Sequence, residues 1–93
     1  MSGATVTARS MSLSVPRPNV NQEVVLTADC LDGEVPIGGG VRAEASDATD
    51  DTRMHLQESG PTTTGWLGRA AATARFGPGS TFTMTTTVYC LAP

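Results

Sequence analysis

Small or apolar residues fall at every second position in two segments of the chain. Val24, Leu26, Ala28 and Cys30 share one parity, with Val25, Thr27 and Asp29 between them. Phe82, Met84, Thr86, Val88 and Cys90 repeat the pattern near the other end. A period of two sends successive side chains to opposite faces, so each segment predicts a strand with one face turned inward. Both strands end in an inward cysteine. Cys30 and Cys90 are the only two cysteines in the chain, and they predict one disulfide that pins the start of the body to its end.

The remaining segments extend the pattern. Residues 4–15 alternate, but their apolar parity shifts between Ala8 and Met11, which predicts a bulge or a break between two short strands. Residues 16–22 carry two prolines and two asparagines and predict a stiff connector. Asp32 and Gly33 predict a turn. Val35 and Ile37 predict a short strand, interrupted by Pro36 as at a sheet edge. The glycines at 38–40 let the backbone bend or approach another chain closely. Val41, Ala43 and Ala45 share a face, and residues 46–52 predict an acidic loop. In residues 53–58, Met54 and Leu56 point inward while Arg53, His55 and Gln57 point outward. Residues 59–65 predict a turn. From 66 to 76, Trp66, Gly68, Ala70, Ala72, Ala74 and Phe76 share one parity. Its alanines also suit a helix, but the flanking glycines and alternating arginines favour a strand. Residues 77–80 turn the chain into a last strand at 81–91.

About eight short segments with turns at intervals of about 8–12 residues predict an all-β chain. The expected architecture is an antiparallel β-sandwich, immunoglobulin-like or jelly-roll-like, with one disulfide. Trp66 follows the first cysteine at a greater distance than the immunoglobulin tryptophan does. Two regions are expected: an N-terminal arm and proline-containing connector at 1–22, and the sandwich domain at 23–93.

Composition makes that core thin. Val, Ile, Leu and Phe together number 17 of 93 residues. The formal charge is only −3, and the alternation is too regular for a solvated coil. A bridge closing a loop of 60 residues stabilises such a domain by roughly 4 kcal/mol on the chain-entropy model. The chain has no lysine; its six basic residues are all arginine, as in proteins from GC-rich genomes. They are scattered and outnumbered by nine acids, with no basic patch or interleaved aromatics, so a nucleic-acid partner is not expected. No run is apolar enough to cross a membrane, and the first nine residues lack the basic and apolar regions of a signal peptide.

Candidate chemistry is sparse. His55, the single histidine, has no cysteine near it in sequence and needs a distant partner to act as a base. One histidine and two bridged cysteines make no zinc set. Asp47, Asp50 and Asp51 offer oxygens to calcium, but their spacing matches no EF-hand loop and reads as a solvated loop. Glu44 and Glu58 could meet across a hairpin, yet nothing separates their environments as acid–base work requires. The glycine triplet lacks the Gly-Lys-Ser/Thr ending of a phosphate loop. Thr81, Thr83, Thr85 and Thr87 form an outward row that reads as a solvated strand face. Trp66 reads as core, because a sugar platform needs several exposed rings. No catalytic, cofactor-binding or metal-binding residue is expected.

The stretch from Cys30 to Cys90 resembles a domain of secreted and surface proteins of actinobacteria and of some phage proteins. The resemblance rests on Cys30 with the apolar stretch and glycines 38–40 that follow, on Ser59-Gly60-Pro61, on Gly65-Trp66, and on the closing Thr87-Val88-Tyr89-Cys90. It covers about two thirds of the chain and implies a disulfide-linked β-sandwich with no catalytic residue. The thin core, the thiol pair and the polar first twenty residues point to a module stabilised by docking. The expectation is therefore a non-enzymatic virion structural protein, a capsid decoration or cement protein of an actinobacterial phage. Its partners would be the major capsid protein or other virion proteins, and copies of itself as a homo-oligomer such as a trimer. Val6, Ala8, Met11, Leu13 and Val15 would add the arm to a neighbouring sheet. The alternative is a secreted cell-surface or glycan-binding sandwich module.

Overall fold

The computed structural model describes residues 5–92, except for the side chains of Thr49 and Asp51. The first four residues of the expected arm lie outside the described residues. Six strands follow one another: β1 Thr5–Pro16, β2 Glu23–Asp29, β3 Val35–Ala45, β4 Met54–Pro61, β5 Gly65–Ala72 and β6 Thr81–Ala92. A short 3-10 segment, Ala48–Arg53, lies between β3 and β4. They form two three-stranded sheets, ordered β1-β6-β3 and β2-β5-β4. Every neighbouring pair is antiparallel.

The two sheets close on each other as a sandwich, as the alternation predicts. Phe82, Met84, Thr86, Val88 and Cys90 of β6 are buried, and every residue between them is not. They meet Val24 and Ala28 of β2 and Ala70 and Ala72 of β5. The Cys30–Cys90 bond joins the end of β2 to β6, and so ties one sheet to the other, with Cα atoms 5.7 Å apart. Thr86 is the one hydroxyl of the inward row of β6. It is fully buried, and its Oγ1 donates to the Leu26 carbonyl across the sheets at 3.0 Å. Pairing of this kind offsets the cost of burying a hydroxyl.

The body is long and narrow, 55 × 20 × 17 Å. Its radius of gyration is 15.2 Å, against about 12 Å for a spherical domain of this length. Few large side chains fill it, so small residues let the layers approach. A Cβ on Gly39 would lie 2.5 Å from the Trp66 ring and from the Thr87 carbonyl. A Cβ on Gly68 would lie 2.7 Å from both Thr86 Oγ1 and Val41. Glycine is required at both places because real Cβ atoms do not approach so closely.

Several sequence expectations are revised. Residues 5–16 are neither a free arm nor two broken strands. β1 pairs with β6 in unbroken register, from Thr5 opposite Ala92 to Pro16 opposite Thr81. The parity shift has another cause: Val6 and Ala8 share the outer face with Leu91 and Tyr89, whereas Met11, Leu13 and Val15 share the inner face with Thr86, Met84 and Phe82. The connector is sewn to the body as well. Pro18 is fully buried, Arg17 N donates to the Ser80 carbonyl, and Asn21 N and Gln22 O pair with Ala72. Residues 5–22 are thus bonded to the strands on the far side of residue 22. The glycines at 38–40 continue β3, with a register shift between Pro36 and Gly38. The eight expected segments merge into six strands. β5 stops at Ala72, and Phe76 reaches the core from the following loop, its ring 6.0 Å from that of Phe82.

Candidate functional site

The outer face of the β1-β6-β3 sheet carries the most distinctive surface chemistry. The register places Val6 opposite Leu91, Ala8 opposite Tyr89, Ser10 opposite Thr87, Ser12 opposite Thr85 and Ser14 opposite Thr83. The three serines bond their threonine partners through the hydroxyls at 2.8, 2.9 and 3.0 Å. The threonine row expected on a solvated face is thus half of a two-strand hydroxyl ladder. Cross-strand hydroxyl pairs of this kind hold a register, each contributing a fraction of a kcal/mol up to about 1. On the other side of β6, Val35, Gly38 and Gly40 lie opposite Leu91, Tyr89 and Thr87. Arg42 and Glu44 follow at the margin and pair with each other at 3.4 Å.

The face therefore divides along its length. One end is apolar: Val6, Val35, Ile37 and Tyr89 are exposed there, around a half-buried Leu91. The middle is a strip of bonded hydroxyls. Neither part holds a charge until Arg42. The uncharged rows run from Val6 to Ser10, roughly 13 Å at strand spacing, and Arg42 and Glu44 flank the Ser12 and Ser14 rows across β6. Exposed apolar side chains gathered at one uncharged end of a sheet make this face the candidate surface.

At the same end, Arg9 and Glu34 build a clamp beside the disulfide. Arg9 Nε and Nη2 donate to the two Glu34 carboxylate oxygens at 2.9 and 2.8 Å. The Leu31 amide donates to the same carboxylate at 2.8 Å. The Arg9 hydrogen bond, then the Leu31 amide, hold the Glu34 carboxyl below the ordinary glutamate range, while partial burial works against them. The Arg9 guanidinium is raised in turn, first by that hydrogen bond. The pair fastens β1 to the turn that follows Cys30. Glu34 and the two sulfurs lie within 4.8 Å of one another. The sulfurs are bonded to each other, however, and Arg9 already holds the carboxylate. In the oxidised chain this is a clamp and not a ligand set.

The other candidates are dispersed. His55 is exposed on β4, opposite Ala71. Glu44 lies on β3 beside Arg42, and Glu58 lies on β4 beside Arg69 at 3.6 Å, so the two carboxylates sit in different sheets. Asp50 departs from the solvated loop expected for it. It is buried, faces Arg53 at 3.2 Å, and accepts from the Gly77 amide at 3.3 Å. It closes the 3-10 segment onto the turn before β6. Asp47 is exposed, and the side chain of Asp51 lies outside the described residues. Trp66 faces Gly39 and the disulfide cluster, and its indole N–H donates to Ser59 at 2.9 Å.

Of the expected partner-binding residues, Val6, Ala8, Met11 and Leu13 are exposed, and Val15 packs against the main core cluster. They do not form one surface: the first two face outward, and the others have inward parity. Sequence reasoning missed Arg9, Glu34, Ser10, Ser12 and Ser14. The serine alternation in β1 was the available signal for the ladder. Comparisons of the chain with models of known protein families, with curated proteins and with solved structures find no match.

Proposed function

We propose that this chain is a non-enzymatic structural protein of a virion, a decoration protein of an actinobacterial phage that seats itself on the major capsid protein. The observation that supports this reading is the outer face of the β1-β6-β3 sheet, uncharged from Val6 to Ser10 and ending in exposed Val6, Val35, Ile37 and Tyr89. A surface of this kind gains from burial against a partner, at about 25 cal/mol for each Å² of apolar area removed from water. β1 takes part as one strand of that face, not as a detached arm. The disulfide and the Arg9–Glu34 clamp keep the apolar end rigid, which limits the ordering cost of docking. The glycan-binding alternative gains less support, since Trp66 is engaged by Gly39 and Ser59 and offers no open platform.

The test is co-sedimentation with capsids purified from the phage whose genome encodes the chain, after its own copies are stripped. The wild type should return to the capsid at a fixed copy number. Ile37→Asp and Tyr89→Asp should keep the wild-type circular dichroism spectrum and lose capsid binding. Failure of the folded wild type to bind stripped capsids would overturn the reading.

A further inference from the structure

The four edge strands of the sandwich are not equally protected. An unpaired edge invites pairing with another chain, and folded proteins guard edges with brevity, bulges, prolines and charges. β2 has seven residues and is bounded by Glu23 and Asp29. β3 carries Pro36, a register shift beside it, Arg42 and Glu44. β4 carries a register shift between Leu56 and Glu58, ends in Pro61, and bears His55 and Glu58. β1 is the least guarded of the four, the longest and without a register shift. It runs for 12 residues in regular register, its proline stands at the very end, and its one charge, Arg9, is turned to Glu34. β6 is its only sheet neighbour among the described residues.

The same strand leaves apolar surface uncovered. Met11 and Leu13 have inward parity, yet they are 53% and 42% exposed. The sheets stand apart here: Ala8, Arg9, Ser10 and Met11 of β1 and Thr27, Ala28 and Asp29 of β2 line a cleft of about 460 Å³. We infer that β1 is completed by the β1 of a second copy, antiparallel across a two-fold axis, which joins two three-stranded sheets into one of six.

The sequence of β1 selects the register. Continuous outer faces require outward residues to oppose outward residues. Of the registers that satisfy this, centring on Ser12 places Met11 opposite the second copy's Leu13, and Leu13 opposite its Met11. Ser10 then opposes Ser14, and the hydroxyl strip runs on across the axis. Arg9 opposes Val15, so the two arginines stay apart. A two-fold contact uses the same patch on both copies and closes on itself. The inference stands on the edge and does not depend on the virion reading.

Three chains test it: the wild type, Met11→Lys/Leu13→Lys, and Ser12→Cys. Light scattering behind size exclusion should give the wild type twice the chain mass of 9.6 kDa at the highest soluble concentration. The double lysine variant should give 9.6 kDa with an unchanged circular dichroism spectrum. Ser12→Cys should be joined quantitatively into a dimer by a short bis-maleimide, because Ser12 meets its own copy at the axis. A wild type that stays monomeric, a larger closed assembly or filament, or a dimer that survives both lysines and resists cross-linking at Ser12 would each overturn the inference. Capsid binding by a wild type that remains monomeric would also overturn it while leaving the proposed function standing.

Discussion

Removing the Cys30–Cys90 bond should cost this sandwich a large share of its stability. The bonded cysteines are 60 residues apart. On the chain-entropy model that closure removes about 14 cal/mol/K from the unfolded ensemble, or roughly 4 kcal/mol at 25 °C. A domain of this size is stable by only about 5–14 kcal/mol in total. The loss corresponds to a fall in Tm of about 15–30 °C, at about 4–8 °C per kcal/mol. Two perturbations separate the tether from its atoms. Reducing the wild type opens the bond and leaves every side chain in place. Cys30→Ala/Cys90→Ala also removes a sulfur from Cys90, which is fully buried, and so should unfold slightly earlier than the reduced wild type. The assay is thermal unfolding followed by circular dichroism, with and without reductant. The double variant should show no response to reductant. A fall of less than about 5 °C on reducing the wild type would refute the reasoning, since the bond would then constrain little that packing does not already fix.

Three further outcomes are expected. The Glu34 carboxyl has a lowered pKa in the folded chain, so its contribution to stability is present above the ordinary glutamate value and is lost as pH falls through the folded one. Unfolding midpoints across pH 2 to about 6 should therefore drop in acid for the wild type and less steeply for Glu34→Gln; parallel curves would contradict this. Gly39→Ala brings a methyl to 2.5 Å from the Trp66 ring and the Thr87 carbonyl, and should destabilise by about 1–3 kcal/mol in urea titration with a shift in tryptophan emission. An unchanged midpoint would mean that the layers are not so close. Thr86→Val keeps the shape but leaves the Leu26 carbonyl without its donor, and should cost about 1–3 kcal/mol; a neutral or stabilising result would count against the cross-sheet bond.

The parts of the fold legible in the sequence are those governed by local period. β6 alternates without a fault, so its buried face, its outer threonines and the pairing of Cys90 with Cys30 follow from parity. β1 was harder to read because one strand serves two faces. Its outer end joins the apolar patch with Val6 and Ala8, and its inner face turns Met11, Leu13 and Val15 toward the other sheet. Apolar residues then occur in both parities, which resembles a break. The glycines at 38–40 read as a bend because glycine is common in turns. What requires Gly39 is the Trp66 ring, supplied from the opposite sheet. Arg9 and Glu34 are 25 residues apart, and Asp50 and Gly77 are 27 apart. No spacing rule joins such pairs before the topology is known. The outer face was legible as a polar strand but not as a surface, since its apolar end is assembled from three strands distant in sequence.

The central claim is that residues 5–16 are a working strand of the body, so that a three-stranded face exists at all. Amide hydrogen exchange resolved by peptide tests it most directly. The β1 amides turned toward β6, about half of the strand, should exchange slowly whether or not its other edge is paired, at rates comparable with the protected amides of residues 81–92. Complete exchange of residues 5–16 at the earliest time point, with 81–92 still protected, would show that β1 is not held in the sheet and would contradict the account.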